Sequence, residues 1–105
     1  MAIDVNKLFQ DMAKAAADVL QAKWPLARDY ADNEFRKLLK EANHIAQLKD
    51  EGKITEQEAC YLMELQRNAA RIVLLAIECL GLLAVEAALN AAIAAVRETV
   101  NSALV

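Results

Sequence analysis

The sequence has very little with which to make turns. Its 105 residues include 2 glycines and 1 proline, and serine and threonine are nearly absent. Those residue types supply the backbone conformations and local hydrogen bonds of turns, so there can be few turns. Runs of β-branched residues are missing too, whereas alanine, the best helix former, is abundant. Few, long helices follow from composition alone.

Other scarcities exclude functions. Without a basic stripe there is nothing for a phosphate backbone to dock on, so we expect no nucleic-acid partner. The net charge is −3. Residues 1–54 are balanced in sign, and the remainder is acidic. A helix lying on a membrane surface would carry Lys and Arg on its polar face, and the C-terminal part lacks them. The N-terminal MAIDVNKLFQ holds no apolar stretch long enough for a signal peptide. With just two cysteines, Cys60 and Cys79, we expect reduced, buried thiols in a single cytoplasmic domain spanning 1–105. On one helix these two would stand about 28 Å apart.

What is present is helical periodicity. Asp4 is placed to cap a helix whose apolar positions include Phe9, Met12, Ala16, Val19 and Leu20. Trp24-Pro25 interrupts it, because proline lacks a donor and crowds the preceding turn. The pattern resumes at Ala31, Phe35, Leu38, Ala42 and Ile45. Residues 5–23 and 26–50 therefore read as one arm bent at Pro25. Gly52 then marks a helix end, and Thr55 with Glu58 forms a capping box that starts the next helix. Nothing but Gly81 weakens the pattern from 55 to about 103. The expected fold class is all-α: a long antiparallel helical hairpin, each arm up to about 75 Å, self-associating into a four-helix-bundle-like dimer or larger oligomer.

That self-association rests on residues 72–96, IVLLAIECLGLLAVEAALNAAIAAV. On a wheel of a continuous helix, Glu64, Arg67, Asn68, Arg71, Glu78, Glu86, Asn90 and Arg97 gather in a sector of about 140°. The apolar remainder is wider than one neighbouring helix covers, and a monomer does not leave such a patch exposed. A second copy is the simplest cover. The alternatives are another protein's helix or a hydrophobic ligand on the extra face, and a membrane-inserted helical hairpin. The span is long enough for a membrane, but its acids roughly cancel the gain from its leucines, isoleucines and valines, and just Arg71 and Arg97 flank it.

Chemistry-bearing residues are sparse. His44, the single histidine, follows Glu41 as Glu-x-x-His, with Glu34 one heptad earlier. Both side chains of such a pair leave a helix on the same side. In these residues the chain resembles ferritin-like di-iron bundles, which implies a di-metal site holding iron or another transition metal. Such a site would need a dimer, with Glu58 or Glu64 completing the set Glu34, Glu41, His44, Glu64. The competing reading is a solvated Glu–His pair beside Lys37 and Lys40. His44 and Cys60 could face each other across the hairpin, but no Gly-rich turn offers an oxyanion hole. Trp24, Tyr30 and Phe35 read as packing around the proline or the rim of a ligand pocket. Arg28 could reach Glu78 across the hairpin. The reading favoured is a non-enzymatic interaction module without a cofactor.

Overall fold

A computed structural model describes residues 4–77 and 80–104, with side chains as far as 99. The described residues are helical apart from short connections, with no strand among them. The first helix, α1 (Val5–Leu20), starts at the expected cap, where the Asp4 carboxylate accepts from the Lys7 amide at 3.2 Å. It sends Leu8, Met12, Ala16 and Leu20 into the core, one per turn.

α1 does not bend at Pro25; it stops five residues earlier, at Leu20. Gln21 has φ 51° and ψ −116°, a conformation that glycine favours and other residues rarely take. A 3-10 turn over Gln21–Lys23 follows, and then α2 (Trp24–Asp50). Pro25 lies in the first turn of α2, where a missing N–H interrupts no helical hydrogen bond. The Arg36 guanidinium stands 4.0 Å from the centre of the Phe9 ring. On one bent helix residues 9 and 36 would be about 40 Å apart. The single first arm, 5–23 plus 26–50, is thus corrected to two antiparallel helices.

The next turn is as the sequence suggests. Gly52 takes φ +73°, its amide bonds to the Lys49 carbonyl at 3.0 Å, and the Lys53 amide bonds to the Leu48 carbonyl at 2.9 Å. This is the Schellman pattern. Thr55 Oγ1 then accepts from the Glu58 amide at 3.1 Å, and the Thr55 amide donates to Glu58 Oε1 at 3.0 Å. That reciprocal pair opens α3 (Glu56–Leu75), antiparallel to α2.

The expected continuous helix from 55 to 103 is also corrected. α3 ends at Leu75; the Leu80 amide bonds back to Ile77 at 3.3 Å, and the Gly81 carbonyl accepts from Val85 at 3.0 Å to open α4 (Leu82–Leu104). Arg67 and Arg71 of α3 reach Glu86 of α4, so these helices are antiparallel as well. The reason for the reversal lies in packing. Folding back lets Val85, Ala88, Leu89, Ala92 and Val96 enter the core, each large apolar side chain contributing about 1.5–3 kcal/mol. The cost is a few helical hydrogen bonds of about 1 kcal/mol each.

α4 lies chiefly against α1, and α2 chiefly against α3. The alanines on these inner faces (Ala16, Ala31, Ala42, Ala88, Ala92) are fully buried. The longest dimension is 43 Å, close to the length of α2 alone, about 40 Å. No helix among the described residues is long and apolar enough to cross a membrane. The break at 76–81 divides the apolar run that suggested one.

Candidate interaction surface

The fold-back changes what the apolar excess of 72–96 means. Most of it is covered by the chain's own α1 and α2. Four of the polar residues that shared one sector of a continuous helix, Arg67, Arg71, Glu86 and Asn90, now meet across the α3–α4 pair. Arg67 Nη2 donates to Glu86 Oε2 at 3.0 Å and to Asn90 Oδ1 at 2.7 Å, and Arg71 Nη1 donates to Glu86 Oε1 at 3.4 Å. The hydrogen bond from Arg67 is the main reason the Glu86 carboxyl is held below its ordinary value, with Arg71 adding to it. Arg71 Nε is buried without an acceptor.

What stays uncovered is the outward face of α3. Ala59, Ala70 and Leu74 point inward and are buried, with Leu62 and Met63 packed beside them. On the opposite side Tyr61 is 61% exposed, Leu65 44%, Ile72 66% and Leu75 39%. With half-buried Asn68 their spacing is 4, 3, 4, 3. That is the heptad spacing of a helix–helix seam. An ordinary surface helix would carry charges along this face, but here Glu64 and Arg71, seven residues or about two turns apart, stand at the edge of the stripe rather than in it.

A second apolar concentration lies at one end of the molecule. The reversal at 21–23 and the reversal at 76–81 share that end, because successive helices alternate in direction. Leu26, Tyr30, Leu82 and Leu83 are exposed there, Leu83 being 86% exposed.

The remaining expected sites are dispersed. Glu34 is buried and bonded to Lys37 Nζ at 3.3 Å. Glu41 is half-buried, while His44 and Glu64 are exposed. Among the described residues no three His, Cys, Asp or Glu side chains group as a metal site, so the fold does not gather Glu34, Glu41, His44 and Glu64 within one chain. Cys60 is exposed, not buried as expected; Cys79 and Glu78 lie outside the described residues. Arg28 is 3.9 Å from Asp32.

The aromatic group proposed around the proline is dissolved. Phe35 is fully buried, Tyr30 is exposed, and Trp24 is half-buried. Trp24 does line a shallow groove of about 280 Å³ between α1 and α2, with Phe9, Ala13 and Ala17, and with Arg28 and Asp32 at its edge. Asp32 Oδ1 is buried there without a partner. Loss of hydration raises its pKa above 3.8, against the pull of Arg28 and Arg36.

Comparison with protein families, curated proteins and solved structures finds no match to this chain.

Proposed function

We propose that this chain is a non-enzymatic, self-associating helical interaction module whose docking face is the outward side of α3. One observation carries the reading: Tyr61, Leu65, Ile72 and Leu75 stand in solvent at seam spacing on a helix whose other side is already packed. Single exposed apolar residues are ordinary, whereas an ordered apolar stripe marks a binding surface. The apolar face of 72–96 does not bear on this reading, since the chain covers most of it for itself. Sedimentation velocity over a wide concentration range tests the reading. A reversible rise in sedimentation coefficient is expected, and a single monomeric species throughout contradicts it.

A second reading is a small-ligand groove between α1 and α2, favoured by the orphaned Asp32 oxygen beside Trp24 and Phe9. A neutral ligand with an apolar body and a hydrogen-bond donor would satisfy both, since Lys14 and Arg28 also line the groove. Quenching or shift of the single tryptophan's fluorescence by such compounds checks it. The di-metal alternative would have to be assembled between copies, and stoichiometric iron in purified protein, lost in His44→Ala, is the result that would favour it.

A further inference from the structure

We infer that the occupant of the α3 face is a second copy of the same helix, paired antiparallel about a two-fold axis that passes between Leu65 and Asn68. The inference rests on the self-association reading above and adds partner, direction and register.

Charge selects the direction. Taking Leu65 and Ile72 as one core position of the heptad and Tyr61, Asn68 and Leu75 as the other, the flanking positions on one side are Glu64 and Arg71, and those on the other are Ala69 and Ala76. Flanking charges set partner and orientation in paired helices. In a parallel pair each Glu64 and Arg71 would face an alanine of the partner. In an antiparallel pair like flanks face each other, so the charged side meets the charged side.

Charge also selects the register. With Tyr61 opposite the partner's Ile72 and Leu65 opposite the partner's Asn68, Glu64 faces the partner's Arg71 twice by symmetry. Slipping by one heptad sets Arg71 against the partner's Arg71 in one direction and Glu64 against the partner's Glu64 in the other, and like charges repel. The favoured register is also closed and isologous, so it ends at two copies.

Asn68 fits this arrangement. Its two copies occupy the layers on either side of the axis, and an amide carries both donors and an acceptor. A polar residue inside an apolar seam lowers affinity and fixes register. In this register the paired layers run from Tyr61 to Ile72, about three helical turns, which makes a seam smaller than the roughly 800 Å² per partner of a standard stable interface. A dissociation constant of about 1–100 μM is the expectation for a seam of this size.

The experiment uses the full chain. Ile72→Glu and, independently, Leu65→Lys are placed at exposed positions, and circular dichroism checks that each keeps its helix content. Each is expected to raise the dimer dissociation constant about tenfold or more, since an unpaired charge would enter the seam. Glu64→Lys is expected to weaken the dimer at low salt and less at high salt. In a Cys60→Ser, Cys79→Ser background, a mixture of Tyr61→Cys and Ile72→Cys chains under mild oxidation is expected to give mainly the mixed disulfide dimer. Predominance of 61–61 and 72–72 dimers overturns the antiparallel pairing. A dimer indifferent to Ile72→Glu and Leu65→Lys overturns the α3 seam while leaving self-association through another face. Wild-type protein that stays monomeric to about 1 mM, well above that range, overturns both readings.

Discussion

Single residues carry the clearest electrostatic tests. Glu86 accepts from two arginines, and its pKa in the folded protein lies below 4.5. A carboxyl so depressed stabilises the fold at pH above its unfolded value and loses that contribution as pH falls through the folded one. Glu86→Gln is therefore expected to lower the melting temperature at neutral pH and to converge with wild type in acid. Asp32 behaves oppositely. Its folded-state pKa is raised, chiefly by loss of hydration, so its ionisation costs stability as pH rises above 3.8. Asp32→Asn is expected to melt higher than wild type near neutrality, with the gain vanishing below that value. Gln21 is the third test. It holds a left-handed backbone that costs a side-chain-bearing residue about 1–2 kcal/mol. Gln21→Gly should raise the urea midpoint, net of glycine's greater loss of freedom on folding, about 0.5–1 kcal/mol.

The elements differ in how plainly the sequence announces them. The turn between α2 and α3 was fully legible, because Gly52 occupies a left-handed position and Thr55 and Glu58 bond each other's amides. Thr55→Ala should cost about 1 kcal/mol, read from chemical denaturation. The turn at Gln21 was not legible, since glutamine has no preference for that conformation and the nearby proline offered a better-known signal. The break at 76–81 was marked by Gly81 alone, in a stretch of good helix formers. What ends α3 is the burial α4 gains against α1 and α2, a tertiary effect that no local window contains. The candidate surface shared this fate. Its spacing at 61, 65, 68, 72 and 75 was in view, but the longer apolar run from Ile72 to Val96 overshadowed it. Only when α4 folds away does the stripe on α3 stand apart from the core.

At the scale of the whole molecule, the four α-helices of the described residues reproduce within one chain what a dimer of two-helix hairpins was expected to build. Any pairing of copies is thus an addition to a core that already exists, and dissociation is expected to leave a folded monomer. Denaturation monitored by circular dichroism should show a transition nearly independent of protein concentration when the chain is diluted below its dimer range. An obligate dimer would instead lose stability steadily on dilution.

The order in which the helices pack also bears on how the chain folds. α1–α2, α2–α3 and α3–α4 join sequence neighbours, while α1–α4 unites the two most distant helices. Local pairings are expected to form early because their loops are short, and the long-range one to close last. The hairpin around Gly52 and Thr55 is then the natural nucleus, and the α1–α4 contact the natural place for unfolding to begin. Thr55→Ala should slow refolding, whereas Leu89→Ala, at a fully buried site on α4, should chiefly speed unfolding. On that expected order the helix that covers the apolar run is the first to leave it bare, and the lifetime of the α1–α4 contact would set how long that run stays out of reach of other chains.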